Sequence, residues 1–228
     1  MKFKGTFLNF NAPKFCMPKY YLLGGENIHK RDAEEVNQRA FNDAGEVPKI
    51  LVFSWAGASF DKTYTKSKML FDYFISLGAS TVNIVDYSCT LGEIKERISE
   101  SNLVYFTGGV PSVLVERLRK LGVDSLLRGF EGVIVGRSAG ALALCRKCVI
   151  TYRSNSAVKV IDGLGLVSLT LKAHYRLGRD EELKELSKVQ EIFAVPKGSA
   201  LVYDNDNLSF INSVYLFCNG ERQILNKM

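Results

Sequence analysis

The chain has 228 residues, with 30 lysines and arginines against 24 acidic residues and a formal net charge of +6. That length buries a substantial core and sets one domain as the natural expectation. The basic excess is mild and dispersed, and no dense Lys/Arg cluster joins an aromatic platform, which argues against nucleic acid as a partner. In chain order, residues 1–18 form an appendage or edge strand, aromatic over Phe3 to Phe10 and set off by Pro13 and Pro18. Residues 19–228 are read as a single α/β domain. Lys19 to Leu23 predicts a strand closed by Gly24-Gly25, and His29 to Ala44 predicts a helix stopped by Gly45. Ile50 to Ser54 is apolar through Phe53, the mark of a strand covered on both faces. After a small-residue loop from Trp55 to Ser59, a helix follows over Lys62 to Leu77, with Met69, Leu70, Phe74 and Leu77 at helical spacing.

The alternation continues with a strand over Thr81 to Val85, a helix over Leu91 to Ser99 and a strand over Leu103 to Thr107. Gly108-Gly109 then precedes a helix starting near Pro111, and Val123 to Arg128 adds a short helical piece. Strand–helix alternation of this length predicts a doubly wound, mostly parallel sheet flanked by helices. Functional groups then belong beyond the carboxyl ends of the strands, which places Gly24-Gly25, the Trp55 loop, Gly108-Gly109 and Ser138 on one rim. The last third reads differently. Cys148 to Thr151 and Val158 to Val160 predict short strands, Gly163 to Leu166 a tight turn, and Val167 to Leu171 a run leading to His174. A charged helix over Asp180 to Val189 precedes strands at Ile192 to Val195, Ala200 to Tyr203, Leu208 to Ile211 and Tyr215 to Cys218. The turn Asp204-Asn205-Asp206-Asn207 predicts a hairpin, so the sheet is expected to end in antiparallel strands.

The five cysteines, Cys16, Cys89, Cys145, Cys148 and Cys218, are odd in number and scattered in apolar runs, which fits reduced thiols. Cys145 and Cys148 have C-x-x-C spacing, but no second pair follows and only two histidines exist, so a structural zinc site is not expected. Without a signal-peptide core or an eighteen-residue apolar span, the expectation is a cytoplasmic chain without a membrane partner.

The most informative stretch is Val133-Ile134-Val135-Gly136-Arg137-Ser138-Ala139-Gly140-Ala141-Leu142. A buried strand runs into G-x-S-x-G and then into a helix, the context of a nucleophile elbow with Ser138 at its apex. The alternative is a strand–helix turn in which Ser138 only caps the helix. Ala139 is placed to offer its backbone N–H to an oxyanion. A serine hydroxyl needs a base beside it, and His174, delivered from a strand end, is better placed than His29 at the head of a charged segment. For an acid to orient that base, Asp162, Asp204 and Asp206 lie downstream and Glu26 follows the first glycine pair, with Asp162 ranked marginally first.

With these residues assembled, the chain resembles the dipeptidase E and cyanophycinase-type serine peptidases of family S51, whose fold is related to class I glutamine amidotransferases. The likeness covers roughly residues 48 to 203. It is carried by Phe106-Thr107-Gly108-Gly109, by Gly136 to Ala141, by Asp162-Gly163-Leu164-Gly165-Leu166 leading to His174-Tyr175, and by Val195-Pro196-Lys197-Gly198-Ser199-Ala200. The resemblance implies Ser138 as nucleophile, His174 as general base and the N–H groups of Gly109 and Ala139 as oxyanion donors. Gly108 and Arg179 are the implied substrate contacts, the substrate being a short peptide with an acidic residue near the cleaved bond. No metal or cofactor is implied, and a homodimer is compatible with the chain. The sequence departs from the family pattern at Val110-Pro111-Ser112, where Asn and Thr are usual, and at Tyr152 to Ser156, where the dipeptidases carry an aspartate. Lys197 also replaces a glutamate. These losses raise the alternative of a catalytically inactive binding or scaffold protein. A third alternative, a nucleophilic Cys145 or Cys148, suffers because neither occupies the elbow apex.

Overall fold

The structure is a computed structural model that describes residues 17–57, 63–85, 87–151, 158–178 and 180–226. The appendage expected over 1–18 thus lies almost wholly outside the described residues, as do Arg179 and the stretch 152–157. The first half alternates as expected: β1 (Lys19–Leu23), α1 (Glu34–Ala44), β2 (Lys49–Phe53), α2 (Thr63–Ser76), β3 (Thr81–Val85), α3 (Leu91–Ser99), β4 (Leu103–Phe106), α4 (Pro111–Lys120), α5 (Val123–Arg128) and β5 (Val133–Arg137). Local chemistry accounts for the boundaries. Thr90 and Glu93 form a reciprocal capping box at the start of α3, and Pro111 opens α4 where its missing N–H costs nothing. The helix expected from His29 starts only at Glu34, because Asn27 caps a 3₁₀ turn over Ile28–Lys30 and Arg31 breaks it in the left-handed region.

The second half comprises α6 (Ala139–Leu144), β6 (Cys145–Thr151), β7 (Val158–Asp162), β8 (Val167–Tyr175), α7 (Glu181–Ser187), β9 (Ile192–Pro196), β10 (Ala200–Asp204), β11 (Asn207–Ile211), β12 (Val214–Cys218) and β13 (Glu221–Leu225). These strands do not simply extend one sheet. A seven-stranded sheet runs β11-β10-β1-β5-β4-β2-β3, and a six-stranded sheet runs β13-β12-β9-β8-β6-β7. In the first, β1, β5, β4, β2 and β3 are parallel, and β10 and β11 add the antiparallel edge. The hairpin between β10 and β11 turns through Asn205 and Asp206, both at positive φ as such a turn demands.

Strand periodicity assigns the core. Tyr21 and Leu23 face one side of β1 and pack with Val36, Phe41 and Phe74 of the helices α1 and α2. Tyr20 and Leu22 face the other side, in a core that includes Leu114 and Leu118 of α4 and reaches Leu171, Phe193 and Val214 of the second sheet. One apolar layer thus joins the two sheets, and β8 and β9 meet the rim of the first sheet. Among the described residues, no helix is long and apolar enough to cross a membrane.

Candidate active site

The parallel register sets the rim. Leu23 lies level with Arg137, Phe106 with Gly136, and Phe53 with Phe106, so the residues that follow each strand end emerge together. They are Gly24, Ser138, the Thr107-Gly108-Gly109 turn and the Trp55 loop, as the sheet pattern predicted. Ser138 has φ 53° and ψ −106°, a sparsely populated conformation that costs about 1–3 kcal/mol and persists only where the surroundings enforce it. The enforcement is visible. A Cβ on Gly136 would lie 2.6 Å from the Ala141 nitrogen, and one on Gly140 would lie 2.7 Å from Phe106 Cβ. Strand and helix therefore approach at a distance that only glycine permits. Ser138 makes no side-chain cap to α6, which sets aside the capping alternative for its hydroxyl.

The Ser138 hydroxyl instead lies 2.7 Å from Nε2 of His174, which arrives from the second sheet. The β8–β9 pairing slips between Ala173 and Tyr175, and His174 sits at that irregularity with φ 53°. A bulge of this kind re-aims a side chain, here toward the elbow. The imidazole packs against Gly25, where a Cβ would fall 2.6 Å from Nδ1. Tyr175 steadies the chain beyond it by donating to Asp180 at 2.5 Å, and Arg222 of β13 pairs with the same carboxylate.

Loss of solvent around the ring, followed by the charges of Lys172, Lys197, Arg176 and Arg137, holds the His174 pKa below its ordinary value. Neutral imidazole, the form that can accept a proton, is therefore favoured. Beside the pair opens a cavity of about 550 Å³. Pro111, Leu142, Val149 and Ile150 supply apolar walls, while Lys172, Arg176 and Glu182 supply charge. Gly109 and Ala139 also line it, and Gly108 backs onto Ser138 with 3.4 Å between its would-be Cβ and Ser138 Cβ. A Cβ on Gly109 would lie 2.6 Å from the Ala56 carbonyl carbon, so this turn too depends on glycine.

The acids fall elsewhere. Asp162 binds Lys147 at 2.6 Å on β7, level with Thr170 of the neighbouring parallel register. His174 lies four residues further along β8, about 13 Å at strand rise, and the structure does not bring Asp162 to the imidazole. The ranking of Asp162 first among acids fails on this register. Asp204 pairs with Lys19 at the opposite end of β1, and Asp206 accepts from the Tyr203 hydroxyl in the same hairpin. Glu26 does reach the site, but it faces Arg137, Tyr105 and Asn37 rather than His174. Among the described residues, no carboxylate bonds the imidazole. Arg179 and the segment 152–157 lie outside them.

His29 is exposed and lines a separate shallow cleft with Met69 and Tyr73. Burial pushes the Cys145 thiol well up and that of Cys148 up to about 12, so neither suits a nucleophile. Among the described residues, no group of three or more His, Cys, Asp or Glu side chains could hold a metal ion. Sequence reasoning missed Lys172 and Arg176 as neighbours of His174. The signal for Lys172 was present, since it lies two residues before His174 and therefore on the same strand face.

The fold is an α/β architecture of the class I glutamine amidotransferase-like type, with Ser138 at a strained strand–helix turn. The profile of peptidase family S51 matches residues 21–211, and the chain belongs to that family. It is 26% identical over 126 residues to an uncharacterized peptidase of Listeria monocytogenes, a match spanning 52% of this chain and 59% of that relative. Among solved structures, it is similar to a peptidase from an acI-B1 actinobacterium, with a TM-score of 0.73, 18% identity and coverage of 92% and 95% of the two chains. A structure assigned to a peptidase E protein of Listeria monocytogenes superposes with a TM-score of 0.63 at 20% identity, covering 86% of this chain and 98% of that one. At these identities the structural likeness speaks to fold alone.

Proposed function

We propose that the chain is a serine peptidase acting on short peptides, with Ser138 as nucleophile and His174 as general base. The observation that supports it most is the 2.7 Å contact between the two groups at a strained elbow beside an open cavity. Ser138 Oγ attacks the scissile carbonyl carbon while its proton passes to Nε2 of His174. The carbonyl oxygen takes the negative charge, and the N–H groups of Gly109 and Ala139 are the donors proposed to receive it. Imidazolium then protonates the leaving amine as the C–N bond breaks, leaving an acyl-enzyme. Water, deprotonated by the same imidazole, releases the acid and restores the serine. Lys172, Arg176 and Lys197 around the imidazole favour a substrate with a carboxylate near the cleaved bond. Gly108 and Arg179 complete the proposed substrate contacts.

The test is covalent. A fluorophosphonate probe should label the wild-type protein once, at Ser138, and labelling should disappear in Ser138→Ala and fall steeply in His174→Gln. A folded wild-type protein that takes up no probe would leave a binding or scaffold role instead. The pH dependence follows from the same chemistry. The base must be neutral, and its pKa lies below 6.5, so labelling should fall only as pH drops through a midpoint under that value. A rate profile with its acid limb centred above 6.5 would contradict the described surroundings of His174.

A further inference from the structure

We propose that Glu26 is a positioning residue for the Ser138–His174 pair, acting through Arg137 to lock the turn Leu23-Gly24-Gly25-Glu26 against the nucleophile elbow. The inference rests on the serine-peptidase reading of the same site. Each residue of this tetrapeptide holds one part of the pair. The Leu23 carbonyl accepts the Ser138 N–H at 2.9 Å, and the Gly24 carbonyl accepts the His174 N–H at 2.9 Å. Gly25 forms the surface on which the imidazole rests. Glu26, with its side chain only 1% exposed, accepts from Arg137 at 3.3 Å, from Asn37 at 2.8 Å and from the Tyr105 hydroxyl. Arg137 is the residue immediately before the serine. One short segment is therefore tied to the nucleophile at both ends and carries the base in between.

The chemistry of Glu26 suits that task. Three donors converge on two carboxylate oxygens in a closed site, and a glutamine would present only one acceptor oxygen to them. A buried ion pair is weak evidence for stability, because desolvation offsets its attraction. Geometry is what this pair supplies. It also has an electrostatic consequence. The charged groups facing the imidazole are Lys172 and Arg176 along the β8 segment, Lys197 from the β9–β10 turn and Arg137 from β5. Glu182 of α7 lines the same cavity, and Lys197 is paired with Asp32 at 2.7 Å. Glu26 is the acid bonded to Arg137, so a neutral residue at position 26 leaves that cation bearing on His174 uncompensated.

The experiment combines an imidazole titration by NMR with the rate of fluorophosphonate labelling, each measured on wild type, Glu26→Gln and Glu26→Asp. The chain has only two histidines, and His29→Gln assigns their signals. In Glu26→Gln the His174 midpoint should fall, and the labelling rate at saturating pH should drop about tenfold or more, in keeping with a small misplacement of reacting groups. Glu26→Asp keeps the charge but is one methylene shorter, so its midpoint should stay at the wild-type value while labelling remains slower. A folded Glu26→Gln protein with unchanged midpoint and rate overturns the proposal. If that variant does not fold, Glu26→Asp decides, and labelling as fast as wild type overturns it. A wild-type protein that never labels removes the peptidase reading, and the imidazole midpoints alone then decide the role of Glu26.

Discussion

Ser138→Ala should reduce hydrolysis of any responsive short peptide by about 10⁴-fold or more, leaving only what binding and backbone donors contribute. The size of the effect follows from the division of labour at the elbow. Alanine keeps the turn, since its methyl group occupies the place of Ser138 Cβ and requires no new space beside Gly108. The imidazole of His174, the proposed proton acceptor, remains but has lost the hydroxyl that lies 2.7 Å away. Binding should therefore survive while turnover is lost, and KM in residual assays should change little. Peptide turnover by purified Ser138→Ala at the wild-type rate would show that the elbow serine is not the nucleophile.

Gly25→Ala should also cut turnover, by a smaller factor, although residue 25 touches no substrate in the proposed mechanism. Gly25 has φ 140°, and a Cβ there would lie 2.6 Å from Nδ1 of His174. The imidazole has to move, and a displacement near 1 Å costs on the order of 10²-fold in rate. Backbone strain adds a separate loss of about 1–2 kcal/mol in stability, since a side chain at this φ is disfavoured. Gly45→Ala separates the two effects. Its φ of 110° imposes a comparable strain at the end of α1, yet nothing lies within 4 Å of the added carbon. Both variants should lose stability in a thermal melt, and only Gly25→Ala should lose turnover. Equal turnover in the two would mean that the ring does not depend on the glycine beneath it.

Much of this architecture could be read along the chain because its determinants are local. The apolar runs at Ile50 to Phe53 and Leu103 to Phe106 are buried on both faces, as continuous hydrophobicity implies. Gly136 and Gly140 flank Ser138 in the sequence and touch neighbours across the turn in space, so the elbow was visible from one decapeptide. The division of the later strands between two sheets was not visible. Short strands of similar composition carry no mark of the partner they will choose, and β10 returns to β1 while β9, four residues earlier, joins β8. The strand β13 was missed for a related reason: Glu221 to Leu225 is mostly exposed and polar, with little apolar pattern to announce it.

The same contrast governs the site. By itself, the sequence determined that a serine stands at a sharp strand–helix turn and that a histidine follows an apolar run, because each depends on residues within one turn of chain. Only the tertiary structure decided that a bulge in β8 rotates that histidine toward the serine, that Asp162 is spent on Lys147, and that Glu26 is buried against Arg137. Those outcomes depend on strand register and on which side of a sheet a loop returns to. They are set by packing among segments far apart in sequence, and a single chain of letters does not display them.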